Sequence, residues 1–178
     1  MVAAHSRSTQ SSSSSHDDTV IQPSKLIAIS YNMHGYNQCA ENVRDLIRTL
    51  HPDVIALQEH WLIPANLVKL DQLSDDYFVF ATSAMSECIV QGPLIGRPFG
   101  GTGIVINNKY ATVTTNTINR DRYTAIIILN WLIIDVYMPS AGTADRDLLY
   151  TDLLNELDIF IGDYPDYNCL IGGDFNID

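Results

Sequence analysis

Basic residues are scarce in this chain: ten Lys and Arg stand against 21 Asp and Glu, for a net charge of −11. That balance excludes a protein that coats nucleic acid by charge alone, but not an enzyme that grips one phosphodiester with a few cations and a metal. Arg97, Arg120 and Arg122 fall in loops, where a phosphate contact or an ordinary solvated arginine are both open readings. Cysteine is scarce too. Cys39, Cys88 and Cys169 are odd in number and irregularly spaced. This argues against a disulfide framework or a zinc site and fits free thiols in a reducing compartment. There is no apolar run long enough to cross a bilayer and no signal-peptide core near the N-terminus. The expectation is an intracellular protein, nuclear or cytoplasmic, with no membrane partner and no specific protein partner.

What is present reads as globular. Hydrophobic residues make up 46% of 178 residues, enough for one domain with a sizeable core. Residues 1–24 stand apart. The stretch "HSRSTQSSSSSHDD" has no apolar period and reads as a disordered Ser-rich tail, leaving 25–178 as the folded domain. His5 and His16 beside Asp17 and Asp18 could hold a metal loosely, but a solvated tail is the simpler reading.

From Lys25 the pattern alternates between strands and helices. "KLIAISYN" and "DVIALQE" read as buried strands and "YFVFAT" as a third. Between the first two, Ala40, Val43, Leu46, Ile47 and Leu50 mark an amphipathic helix from about Cys39, closed by Pro52. "ANLVKLDQL" predicts a short helix, and Met85 to Phe99 a loop. Four strand candidates follow: "TGIVIN", "ATVTTNTI", "TAIIILN" and "WLIIDVYMP", the last two joined as a hairpin. Leu149, Leu153, Leu157, Phe160 and Ile161 mark a helix from about Thr143 to Ile161, with Thr143 as N-cap. "NCLIGGD" is the last strand. Mixed order with adjacent strands predicts an α/β sandwich of mixed sheets with outer helices.

Four of these strands end in polar residues suited to chemistry: Asn32 after Tyr31, Glu59 after Gln58, Tyr137, and Asp174 with Asn176 behind it. Ligands of α/β folds bind beyond the carboxyl ends of strands, so such residues can meet. Carboxylates, amides and a phenol are hard oxygen donors that suit Mg²⁺ or Mn²⁺ rather than zinc. Such an ion acts as a Lewis acid on phosphate, and a carboxylate can orient or deprotonate water. Phosphoester hydrolysis is the natural reading. Singly, each residue has an ordinary alternative: a turn start for Asn32, a solvated end for Glu59, packing for Tyr137, a turn cap for Asp174. Together they favour a site. Among the histidines, His34 beside Asn32 could reach a phosphate. His60 packs or faces solvent, and none has an evident acidic partner to make it a base.

"YNMHG", "IALQEHWL", "DVYMPS" and "IGGDFNID" resemble, in order, motifs of the endonuclease/exonuclease/phosphatase superfamily. "GRPFGGTGIVIN" and "LQEHWL" are most similar to the endonuclease domain of non-LTR retrotransposon polyproteins, which also carry a reverse transcriptase. The resemblance covers roughly Lys25 to Asp178. It implies a four-layer α/β sandwich and Mg²⁺-dependent hydrolysis of DNA. By position it implies Glu59 as the metal-binding glutamate with Asn32 beside it, and Tyr137 at the scissile phosphate. It implies Asp174 as the residue that orients water, and Asn176 as its partner amide. The superfamily's second half, with a further aspartate and a late Asp-His pair, is not in the sequence. The expectation is therefore a fold incomplete at its C-terminus, with unpaired edges, and a fragment of low activity or none. A phosphomonoesterase of inositol-phosphate type and a non-catalytic relic are the alternatives.

Overall fold

The structure is a computed structural model that describes residues 25–86 and 96–177. The Ser-rich tail, Cys88, most of the predicted Met85 to Phe99 loop and Asp178 lie outside the described residues. Among the described residues eight strands form two sheets. The first contains β1 (Ala28–Asn32), β2 (Val54–Gln58), β3 (Tyr77–Thr82) and β4 (Thr102–Asn107), in the order β1-β2-β4-β3. The second contains β5 (Thr114–Asn119), β6 (Tyr123–Ile128), β7 (Trp131–Tyr137) and β8 (Asn168–Asp174), in sequence order.

Each sheet has one parallel pair at one edge, made by a βαβ crossover: β1 with β2 through α1 (Tyr36–Leu50), and β7 with β8 through α2 (Arg146–Gly162). Val54, Ile104 and Ile106 meet Ile126, Ile128 and Ile133 between the sheets. Val43 and Ile47 of α1 cover the outer face of the first sheet, with Ile55, Leu57 and Val105. Leu153 and Leu157 of α2 cover the second, with Leu132, Ile134 and Val136. These three interfaces make the four layers of the expected sandwich.

The local differences from expectation have physical causes. α1 begins at Tyr36, not near Cys39, because Gln38 and Cys39 N–H already bond to the Gly35 carbonyl. α2 begins at Arg146 with Asp145 as the capping position, not Thr143, whose N–H is taken up in a turn closed on the Ser140 carbonyl. Leu149, placed on the buried face by its spacing, is 39% exposed. "ANLVKLDQL" forms two 3₁₀ turns, Pro64–Lys69 and Asp71–Leu73, and the start of "ATVTTNTI" lies in another, Asn108–Val113. β1, read as buried from its composition, is instead an edge strand with alternate residues exposed. β8 is the matching edge of the second sheet and leaves Ile171 39% exposed.

A polar layer is buried between the sheets, directly beneath the strand ends. Gln58 Nε2 donates to Asp135 Oδ1 and to Ser30 Oγ (3.2 Å), and Gly103 N–H donates to Asp135 Oδ2 (3.0 Å). Asp135 is fully buried, which pushes its carboxyl well above the usual carboxylate range despite those donors. This layer keeps the sheets in one register where the functional ends emerge, because shifting either strand would strand a buried polar group.

Candidate active site

Parallel pairing decides where the site lies. Asn32 is level with Gln58 across β1 and β2, and Tyr137 is level with Asp174 across β7 and β8. The two parallel pairs face each other, with Gly172 against Ser30 and Ala56. Their carboxyl ends therefore open on the same side of the sandwich.

There Asn32 joins the two acids. Its Nδ2 donates to Glu59 Oε1 (3.1 Å) and to Asp174 Oδ2 (2.7 Å), residues that belong to different sheets. Its Oδ1 accepts the His34 N–H (2.8 Å), which orients the carboxamide. Glu59 Oε2 accepts the indole Nε1–H of Trp61 (3.2 Å). Asp174 Oδ1 accepts the backbone N–H of Asn176 (3.0 Å), so it is the main chain of Asn176 that partners the aspartate. The Asn176 side chain instead donates to the Met138 carbonyl (2.8 Å). Tyr137 is 9% exposed. Burial, then the charges of Glu59 and Asp174, raise its phenol above the ordinary value, so it is a protonated donor at neutral pH. Asn32, Glu59, Asp174 and the Asn176 main chain are thus linked by hydrogen bonds, and Tyr137 lies level with Asp174 on the adjacent strand.

Backbone strain is concentrated at the same place. His34, Glu59, Trp61 and Asn176 have φ of 46°, 55°, 54° and 47°, in the left-handed region that costs a non-glycine residue about 1–3 kcal/mol. Two glycines fit the surrounding loops to this geometry. A Cβ on Gly35 (φ 102°) would lie 2.5 Å from the Trp61 ring, and one on Gly101 (φ 91°) 2.3 Å from the His60 imidazole. The second accounts for the double glycine of "RPFGG".

Three features were not read from the sequence. Trp61, only two residues beyond Glu59, holds the glutamate and contacts the His34 ring at 4.6 Å. His34 Nδ1 lies 3.6 Å from Glu59 Oε2, so one histidine does have an acidic partner, supplied by the neighbouring strand. Arg146 ties the loop after β8 to the one after β7, donating to the Asn176 carbonyl (2.6 Å) and the Pro139 carbonyl (3.2 Å).

His60 packs and does not face solvent. Its Nδ1 accepts the Leu62 N–H (3.0 Å), which leaves Nε2–H to donate to the Thr82 carbonyl (2.9 Å). Burial pulls its pKa down to about 4, against the pull of the Thr82 and Thr102 carbonyls. The unfolded chain takes up this proton near pH 6.5, before the folded one does, so stability falls with acidification from about pH 6.5 through pH 4. The expected loss is roughly 3 kcal/mol, read by urea melts across that range. His60→Gln should flatten the slope; an unchanged slope would place its origin elsewhere.

Comparison with known proteins agrees with this architecture. Residues 29–178 match the Endonuclease/Exonuclease/phosphatase family. Solved structures of similar fold include an AP endonuclease from Archaeoglobus fulgidus, with TM-score 0.62 and 15% identity over 86% of this chain and 58% of that one. D. rerio TDP2, solved with a single-strand DNA product, gives 0.58 and 21% over 88% and 62%. The 3′ phosphatase NExo from Neisseria, bound to a product DNA hairpin, gives 0.56 and 16% over 84% and 57%. The chain thus spans about three-fifths of the length of these structures. No curated protein sequence matches it. Among the described residues no helix is long and apolar enough to cross a membrane. The family match over residues 29–178, most of the chain, establishes that this chain belongs to the endonuclease/exonuclease/phosphatase family.

Proposed function

We propose that the chain is a divalent-metal-dependent phosphodiesterase acting on DNA, an endonuclease of the kind found in non-LTR retrotransposon polyproteins. The observation that carries the reading is the Asn32 carboxamide joining Glu59 and Asp174 at the mouth of two converging parallel pairs. Support for a DNA substrate comes from the neighbours of similar fold, which include an AP endonuclease and two enzymes solved with DNA products. Support for the retroelement branch is the pair of stretches "LQEHWL" and "GRPFGGTGIVIN".

The donor set fits Mg²⁺ or Mn²⁺. Among the described residues no three His, Cys, Asp or Glu side chains form a metal cluster. That is expected where Glu59, with Asn32 beside it, would hold an ion that completes its shell with water and phosphate. When bound, the ion supplies charge neutralisation at a phosphate oxygen. The remaining work falls to side chains. Asp174, which accepts hydrogen bonds from Asn32 and the Asn176 N–H, would orient a water and accept its proton. Tyr137 donates its hydroxyl hydrogen to a phosphate oxygen. Turnover by these 178 residues is expected to be slow.

A second reading, phosphomonoester hydrolysis, has one specific support: the Neisseria neighbour is a 3′ phosphatase. An end-labelled duplex incubated with Mg²⁺ separates the two. Shortened strands are the expected product, whereas release of inorganic phosphate from a 3′-phosphorylated oligonucleotide or an inositol phosphate, with strands intact, would favour the monoesterase.

A further inference from the structure

Beside Glu59 lies a pocket of about 290 Å³ whose walls are α1, Trp61, the 3₁₀ turn ending at Lys69, and the loop carrying Arg97. Its polar lining is Asn37, Gln38 and Asn66, with Lys69 and Arg97 supplying two positive charges. The walls are fastened together. Tyr36 Oη donates to the Lys69 carbonyl (2.8 Å), and the Arg97 guanidinium lies 4.1 Å over the Trp61 ring. That ring also packs against Gly35, where a Cβ would lie 2.5 Å from it.

The pairing of charges across the molecule sets this pocket apart. In so acidic a chain, Arg44, Arg48, Lys109, Arg120 and Arg146 all sit against carboxylates. Lys69 and Arg97 form no ion pair with any described carboxylate, and they share one pocket. Arg122 lies over the Tyr137 ring at 5.9 Å, outside this pocket. Unneutralised cations on a surface rich in acids are a poor arrangement for stability and a good one for an anionic ligand. A guanidinium held over an indole keeps its N–H groups free for two-point contact with a phosphate.

We propose that this pocket is a phosphate subsite. It would take a phosphodiester group of the substrate strand next to the one cleaved, with Arg97 and Lys69 as its ligands. The pocket has room for a phosphate and its sugar, so it would fix the position of the strand relative to Glu59 without reading its sequence. The assignment rests on the nuclease reading and refines it.

The test is a binding measurement on the full chain carrying Glu59→Gln, so that nothing is cleaved. Anisotropy of a fluorescein-labelled single-stranded DNA is titrated in Ca²⁺ at several salt concentrations. Arg97→Ala with Lys69→Ala is expected to weaken binding about tenfold and to lower the slope of log K against log salt by about 1.4, two contacts at about 0.7 each. Arg120→Ala, whose cation is paired with Glu156, should leave both unchanged. Equal affinity and slope in the double variant, with its melting unchanged, would overturn the subsite while leaving the nuclease reading standing. Binding of inorganic phosphate in a pocket that the DNA ignores would overturn it too. Failure of the parent to bind any DNA would remove the nuclease reading itself.

Discussion

Glu59→Gln is expected to lower the rate of phosphodiester cleavage by about 10³-fold, equivalent to about 4 kcal/mol of transition-state stabilisation. The substitution keeps the size of the side chain and removes the charge on which metal binding depends. Its thermal midpoint should be unchanged or higher. Glu59 and Asp174 share a single carboxamide donor, so two carboxylates are held close for function and repel each other in the folded state. Its φ of 55° points the same way, since such strain is maintained only where the surrounding structure enforces it. Initial rates and melting curves on the same preparation check this. A loss of rate matched by a large loss of stability would make Glu59 a structural residue.

Asp135→Ala is expected to have the largest effect on stability, with cleavage per folded molecule nearly preserved. The substitution removes the acceptor of the Gly103 N–H and one of the two acceptors of Gln58 Nε2, which keeps only Ser30 Oγ, between two sheets. Each such loss costs about 1–3 kcal/mol, so roughly 3 kcal/mol in total is expected, a fall of about 10 °C in Tm. The pH dependence gives a second readout. Burial raises the Asp135 carboxyl in the folded protein, so the folded state holds its proton more tightly than the unfolded chain does. Its contribution is therefore full below the ordinary carboxylate range and is lost as pH rises toward the raised value. The variant should lack this decline. Urea denaturation at several pH values measures both effects, and a loss below 1 kcal/mol with unchanged pH dependence would contradict the role given to this layer.

The four layers were legible because the strands are short apolar runs and the two long helices carry spaced apolar residues, Val43 with Ile47 and Leu153 with Leu157. The candidate site residues stood out because each lies at or just beyond the end of a strand, where a polar residue after an apolar run is conspicuous. Pairing was not legible. That β1 and β8 are edges depends on which strands lie beside them, and "KLIAISYN" has the composition of a central strand. Partners across sheets were equally hidden. Nothing in the spacing of Asn32 and Asp174 says that one amide nitrogen will reach both Asp174 and Glu59. Trp61 was not singled out in the sequence, because its role needs the left-handed backbone at 59 and 61 that brings the indole nitrogen to Glu59. Asp135 was masked by its surroundings: in "WLIIDVYMP" it sits mid-strand, where only the facing Gln58 explains a carboxylate.

Whether these strand ends form one metal-dependent phosphodiester-cleaving site is decided by overnight incubation of supercoiled plasmid with the purified chain in Mg²⁺, in EDTA, and with Glu59→Gln in Mg²⁺. Slow conversion to nicked circles is expected in the first reaction alone. Nicking that survives EDTA or the loss of Glu59 would contradict that assignment.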